Sequence, residues 1–419
     1  MKRRTKPMMN RRSFLSKGLA GITAALAFPY GRSAAAAAQS AERSAAGSGA
    51  RGGNERKLVY RTLGKTGLRV PIISLGTLEA TSESLVRTAL EAGITHISTA
   101  PNYQNGRVEE FVGRIIKNYK RDAIIVATDG NPRPFDPKSG LFSKDTDISR
   151  FEKDFERSLR RLDVDHVDIF YLSSCARKES VMFEPLMKSM EKLRRTGRAR
   201  FLGISTHSFV PEAVRAAADS GLYDVVMLAY NFQLKDMEEI KGSVAYAAGK
   251  GLGVVAMKTI TGDSWVASKQ KAVSHPKAAL KWVFQNENIH TAVPGITTYE
   301  QLETDLSVME DLTLTAEEER YLRMARANRE GSHFCQGCGT CLDQCPKAPD
   351  IPTLMRCSMY AYGYRDLAAA TRVIQSVGDD PLACAACSSC VVSCPMGLDV
   401  RSKALEIIRL RDFPAGFFG

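Results

Sequence analysis

Ile148-Ser149-Arg150-Phe151-Glu152-Lys153-Asp154-Phe155-Glu156-Arg157-Ser158-Leu159-Arg160-Arg161-Leu162, followed shortly by Val167-Asp168-Ile169-Phe170-Tyr171-Leu172, holds two periodicities side by side. Ile148, Phe151, Phe155, Leu159 and Leu162 step by three or four residues, which makes one apolar stripe on a helix and leaves Glu152, Lys153, Arg160 and Arg161 outside. The run from Val167 has the apolar, β-branched character of a strand buried on both faces. The same pair repeats along the chain, with strands read from near Ile72, Thr95, Ala123, Val167, Ala199, Val225, Gly253 and Thr291. Thr298 with Gln301, and Thr315 with Glu318, have capping-box spacing ahead of the eighth helix and a further one. Eight βα units over about 240 residues predict an α/β chain built as a (β/α)8 TIM barrel, a fold of about 250 residues. A doubly wound sheet is the alternative, but Gly76-Thr77-Leu78 stands where the phosphate-binding G-x-G-x-x-G would follow the first strand.

Downstream of the eighth unit the chemistry changes. Cys335, Cys338, Cys341 and Cys345-Pro346, then Cys384, Cys387, Cys390 and Cys394-Pro395, use eight of the ten cysteines in two copies of one spacing. That spacing is the ferredoxin run for a 4Fe-4S cluster, in which three short loops wrap a cube and a fourth cysteine follows. Structural zinc sites instead draw on separated pairs or on histidine, and disulfide frameworks belong to small secreted scaffolds. The residues therefore predict a small α-helical ferredoxin-type domain with two 4Fe-4S clusters. Whether Cys345 and Cys394 are exchanged between the clusters is open from spacing alone. Ile351 to Ile374 reads as one helix through Leu354, Met359, Tyr362, Leu367 and Val373, with a last helix from Val400 to about Leu410. Cys357 lies off the ligand spacing and reads as packing.

At the other end, Arg11-Arg12-Ser13-Phe14-Leu15-Ser16-Lys17, the apolar run Leu19 to Phe28 and the alanines Ala34 to Ala38 read as a twin-arginine signal with a cleavage region. The apolar run is short for a bilayer, which needs about 20 residues, although an uncleaved anchor is the competing reading. This export route carries folded proteins, which suits clusters that must be built before transport. The formal charge is +12, of which the signal supplies eight, leaving about +4 and no nucleic-acid footprint. The expected organisation is signal peptide 1–38, flexible linker 39–56, barrel 57–328 and 4Fe-4S domain 329–419, with no transmembrane span in the mature chain and a periplasmic location.

Tyr60-Arg61-Thr62-Leu63-Gly64-Lys65-Thr66-Gly67, Gly93-Ile94-Thr95, Thr99-Ala100-Pro101-Asn102-Tyr103, Gly203-Ile204-Ser205 and Pro294-Gly295 fall in a pattern that resembles the aldo-keto reductase family, from Tyr60 to about Met309. The cysteine runs place it with that family's ferredoxin-bearing branch. The resemblance implies an N-terminal hairpin closing the barrel bottom, carbonyl reduction with NADPH, and a catalytic tyrosine matched by Tyr103. It also implies that the C-terminal segment folds over the barrel mouth, with one cluster within tunnelling reach of Tyr103.

Three other members of the family's catalytic set are replaced. Ser98 stands for the aspartate, Asp129 for the lysine and Ser173 for the histidine. A lysine favours the tyrosine's phenolate, whereas a carboxylate in its place opposes it. Gly295 to Asp305 holds no Lys or Arg to grip an adenosine 2′-phosphate, and Glu300, Glu303 and Asp305 add negative charge, so these residues point away from NADPH. By register Tyr103, Asp129, His207 and Cys175 reach the mouth as acid-base or nucleophile candidates, and Lys258 as a cofactor-binding one. For His207 a loop histidine bonded to backbone, and for Cys175 simple packing, are the competing readings. The sequence thus predicts an exported iron-sulfur oxidoreductase that exchanges electrons with a redox partner protein or quinol pool and acts on a small molecule. The alternatives are a catalytically dead scaffold barrel and an NADPH-dependent carbonyl reductase with rearranged acids.

Overall fold

A computed structural model describes residues 56–136, 139–260, 275–327, 334–363, 365–375, 377, 380–414 and 417. The export signal and most of the linker expected from sequence lie outside these residues. The barrel strands are β1 (Leu75–Gly76), β2 (His96–Ser98), β3 (Ile125–Gly130), β4 (Val167–Ser173), β5 (Ala199–Thr206), β6 (Val225–Ala229), β7 (Gly253–Met257) and β8 (Thr291–Ala292). They form one parallel sheet in chain order. Its edges meet. Ser74 N–H donates to the Ala292 carbonyl at 2.8 Å, Ala292 N–H to Ile72 at 2.8 Å, and Gly76 N–H to Pro294 at 2.9 Å. These bonds leave the sheet no open edge, which is what a barrel gains over a flat sheet.

Outside the sheet lie α1 (Glu83–Glu91), α2 (Arg107–Ile116), α3 (Ile148–Leu162), α4 (Glu184–Arg195), α5 (Val210–Asp219), α6 (Met237–Gly249), α7 (His275–Phe284) and α8 (Tyr299–Glu310). The stripe on α3 is buried as its period requires, with Phe155 lying 4.0 Å from the ring of Phe170 on β4, and Asp147 caps the helix through Arg150 N–H at 2.8 Å. Inside the barrel Leu63, Ala127, Ile169, Tyr171, Val225, Met227, Val255 and Met257 pack together. Gly203 makes room for Tyr171, since a Cβ there would sit 2.6 Å from the ring. Tyr60–Thr62 pairs antiparallel with Arg69–Pro71, and the turn between them docks on the strand N-termini: Lys65 N–H bonds Gly251 and its ammonium reaches the Tyr223 carbonyl and Asp224. The hairpin therefore plugs the bottom.

Both capping boxes form, Thr298 with Gln301 on α8 and Thr315 with Glu318 ahead of α9 (Ala316–Ala327). A short hairpin, Phe135–Asp136 with Leu141–Phe142, follows β3 and was not read from sequence, its strands being too short to show a period. One expectation needs correction. The helix read from Ile351 to Ile374 is two helices, α10 (Ile351–Ser358) and α11 (Leu367–Gln375), separated by a wide turn at Met359–Gly363 and by Arg365 in the left-handed region at φ 57°. Asp366 starts the second by accepting from Ala369 N–H at 2.8 Å. Two more helices, α12 (Asp380–Ala385) and α13 (Val400–Ile407), follow in the C-terminal region. Among the described residues no helix is long and apolar enough to cross a membrane.

Gly76 sits at the closing seam, where a Cβ would lie 2.7 Å from the Val293 carbonyl oxygen and 2.8 Å from that of Pro294. Neither backbone group can step aside without breaking the seam. Gly76→Ala is expected to cost about 2–4 kcal/mol, read as a Tm lowered by several degrees in thermal unfolding. An unchanged Tm would mean that the seam contributes little to stability.

Candidate active site and cluster centres

At the C-terminal ends of the strands the barrel opens into a cavity of about 600 Å³, within the size range of small-molecule sites. Tyr103, Asp129, Cys175, His207 and Lys258, the barrel residues singled out from sequence, all line it. Tyr103 follows β2 on a turn whose next residues, Gln104 and Asn105, have positive φ (47° and 57°), as does Gly106. Arg161 of α3 straps this turn, packing where a Gly106 side chain would be and pairing with the buried Glu109 at 3.2 Å. Glu109 also accepts from Thr128 on β3 at 2.8 Å, so the Tyr103 turn is tied to the strand that carries Asp129.

Asp129 is the most perturbed acid on the cavity wall. Ser173, its neighbour on β4, donates to Oδ2, while Oδ1 is buried with no hydrogen-bond partner. Burial outweighs that bond and lifts the carboxyl to about 7, with Glu109 adding to the rise. Part of the residue still meets the cavity. Tyr171, opposite Asp129 in the β3–β4 register, has a buried hydroxyl that is also without a partner, and burial holds it well above the usual phenol range.

His207 follows β5. Burial first, then the charges of Lys258 and Arg356, hold its imidazole well below the usual range, and Nδ1 is buried without a partner. Lys258 follows β7 in a left-handed conformation (φ 57°) and places its ammonium 5.5 Å from the Tyr360 ring centroid. Cys175 is fully buried, and burial raises its thiol far above the reactive range, so it packs rather than attacks. Near β8 the wall offers Thr297 and Gln301. Asp305, expected to add negative charge near β8, is instead 1 % exposed inside α8, where burial pushes its carboxyl well up.

Asp350, Thr353, Arg356 and Tyr360 close the cavity from the C-terminal region. Sequence reading did not foresee them, because their placement depends on how α10 docks. The available signal was polar Thr353 and Arg356 three apart on a helix otherwise apolar at Ile351, Leu354 and Met355. Asp350 caps α10 through Thr353 N–H at 3.1 Å. The opposite side of the same helix, Ile351, Pro352 and Met355, lines a second, apolar pocket with Cys335, Cys338, Cys341 and Cys394. The first cysteine loop rests on the barrel, with Gly337 against the His207 carbonyl and Ser208 and Gly339 against Phe209, where any Cβ would collide.

The fold groups each fourth cysteine with the other run: Cys394 lines one pocket with Cys335, Cys338 and Cys341, while Cys384 feels the thiols of Cys345, Cys390 and Cys387. The cross-over is pinned beside them: the Gln344 amide accepts from Ser393 N–H at 2.7 Å and donates to the Ser393 carbonyl at 3.3 Å. This donor set fits a cubane. Four thiols meet in an apolar pocket, and N–H groups of Gly337 and Met396 point at Cys335 and Cys394 sulfurs, each at 3.4 Å. Burial raises the thiols, Cys335 to about 11 and Cys341 to about 12, so they would ionise only against iron's own positive charge. Among the described residues no three His, Cys, Asp or Glu converge tightly enough for one ion, and a cube of four irons spaces its thiolates more widely. The lone Cys357 donates to the Ala370 carbonyl at 3.2 Å inside the α10–α11 contact, a packing role.

Residues 74–270 match the Aldo/keto reductase family, and residues 334–399 match a 4Fe-4S dicluster domain. The chain thus carries both domains. Aldo-keto reductase YhdN of Bacillus subtilis is 32% identical over 193 residues, which is 43% of this chain and 56% of that protein. L-glyceraldehyde 3-phosphate reductase of Escherichia coli (strain K12) is 24% identical over 322 residues, 62% of this chain and 90% of that protein. Among solved structures, aldo-keto reductase AKR11C1 from Bacillus halodurans superposes with a TM-score of 0.51 at 22% identity, covering 64% of this chain and 96% of that one. An aldo-keto reductase from Klebsiella pneumoniae in complex with NADPH does so with 0.51 at 21% identity, covering 64% and 96%. These two likenesses establish the fold.

Two predictions follow from the geometry. Asp129 ionises near 7 folded and near 4 unfolded, so the folded state holds the extra proton between those values and stability falls as pH rises through that window. Asp129→Asn should therefore stabilise the protein at pH 8 by about 1–3 kcal/mol, discounted for cavity solvent, with the gain shrinking toward pH 4 in a Tm–pH series. A gain independent of pH would sink this assignment. For the clusters, the double variant Cys335→Ser/Cys394→Ser should retain about four irons per chain and Cys384→Ser/Cys394→Ser close to none. The reverse pattern would restore the unexchanged ligation.

Proposed function

We propose that the chain is an exported oxidoreductase in which electrons pass singly through two 4Fe-4S clusters between a redox partner and a small molecule at the barrel mouth. The observation that carries this reading is α10, which presents one side to the Cys335 centre and the other to the cavity. A single helix is about 10–12 Å across with its side chains, so the two sites are separated by no more than its width. The other centre holds Cys390, which is exposed, and beside it Val391 is 67% exposed, a surface where a redox protein or quinol could meet the chain.

Each cluster supplies or accepts one electron at a time. The chain's own residues would manage the protons. A two-electron reduction consumes two protons, and Asp129, held near neutrality, keeps one at physiological pH and can release it to a molecule above it. Tyr103 borders the same cavity as a second donor. Ser173 fixes the Asp129 rotamer by donating to Oδ2. His207 stays neutral and can accept or donate through Nδ1. Hydride chemistry with NADPH is disfavoured by the wall near β8, where Thr297 and Gln301 stand without a basic residue between Gly295 and Asp305. The twin-arginine sequence supports a periplasmic setting, where free nicotinamide cofactor is scarce.

The test is an anaerobic optical titration of the cluster-loaded protein. Dithionite should bleach the iron-sulfur absorbance, and NADPH or NADH should leave it unchanged. Bleaching by NADPH would overturn the relay reading in favour of a nicotinamide reductase. Tyr103→Phe and Asp129→Asn should each lower turnover with the redox partner at least about 100-fold, the usual scale of a lost general acid. Full activity in both would make the barrel a scaffold.

A further inference from the structure

The cavity wall contributed by β5, β7 and α10 brings His207, Lys258 and Arg356 to one side of the cavity. Among the described residues the Arg356 guanidinium makes no hydrogen bond or ion pair, although its side chain is half-buried at the cavity rim. Its charge reaches His207, and so does that of Lys258, and all three line the same cavity. His207 presents a buried, unpartnered Nδ1 among them. Placing a guanidinium in a pocket without a counter-charge is costly, and a fork of N–H donors matches a carboxylate or phosphate in two bonds.

The cavity's acids do not supply the missing charge. Asp350 is engaged at the start of α10. Glu79 faces Asp366 and Lys258, and Asp129 bonds Ser173. Arg133 is the other basic residue on the wall.

We propose that Arg356, with Lys258 and His207 beside it, is the seat for the anionic group of a small organic acid or phosphate ester bound in the cavity. This assignment rests on the cavity being a small-molecule site, and it names what that molecule carries. Arg356 comes from the cluster domain, so the seat exists only when that domain is docked on the barrel. The anion would anchor the molecule beside α10, leaving the rest of it to extend across the cavity toward Tyr103 and Asp129.

The experiment uses the full, cluster-loaded chain and two pairs of probes that differ in the anion: pyruvate against acetone, and dihydroxyacetone phosphate against dihydroxyacetone. Calorimetric titration should show at least one anionic probe binding about 10-fold or more tightly than its neutral partner, and the pair with the larger ratio assigns carboxylate or phosphate. Arg356→Gln should weaken the anion's binding about 10-fold or more with iron content unchanged, and Arg356→Lys should restore only part of it, since the charge returns without the fork. Equal binding of charged and neutral probes, or anion binding untouched in Arg356→Gln, overturns the seat. The same complexes, reduced with dithionite and watched optically, separate this inference from the relay. An anion that binds through Arg356 yet leaves the clusters reduced upholds the seat and refutes the relay for that molecule. Reoxidation by neutral probes in Arg356→Gln as well as in the parent protein does the opposite.

Discussion

Helix α10 has two buried sides and almost no solvent face, and the arrangement of both sites depends on that constraint. Ile351, Pro352 and Met355 must be apolar to wall the cysteine pocket, while Thr353 and Arg356 must be polar to finish the barrel cavity. An eight-residue helix has just over two turns in which to satisfy both demands. Asp350 fixes its start, and the wide turn at Met359–Gly363 then swings Tyr360 against Lys258 instead of continuing the helix past the mouth. The barrel is made rigid by different means: the closed seam at Gly76, the hairpin under β6 and β7, and the Glu109–Arg161 pair beside the Tyr103 turn.

The cavity is electrically divided. On β3 and β4 a carboxyl is kept close to neutrality by burial, with a hydroxyl as its single bonded neighbour and an unpartnered phenol behind it. On β5, β7 and α10 stand an uncharged imidazole and two cations. A molecule between these walls meets a proton source on one side and fixed positive charge on the other. Such a separation of roles differs from the lysine-activated tyrosine that the family resemblance implied.

Much of the barrel was legible because buried parallel strands and amphipathic helices carry different periods. Val167, Ala199, Val225, Gly253 and Thr291 begin strands where the pattern placed them, and both capping boxes form their bonds. The two-residue strands at Phe135 and Leu141 carry too few residues for any period to show. The break between α10 and α11 was hidden because apolar residues keep helical spacing across it, whereas the left-handed Arg365 is a backbone property with no side-chain signature. In the site, Tyr103, Asp129, His207 and Lys258 could be placed by counting from strand ends. Arg356 could not, since its place at the mouth depends on docking between distant segments.

The exchanged cysteines also impose an order on biosynthesis. Neither centre can be completed from its own run: the first needs Cys394 near the chain's end, and the second borrows Cys345 from before α10. Cofactor insertion therefore has to wait for nearly the whole polypeptide, and a half-loaded chain leaves a thiol of each run without its iron. Gln344, bonded to Ser393 at the cross-over, holds the two runs together while each centre is filled. Under the export proposed above, in which the chain crosses a membrane already folded, both runs have to be in place beforehand.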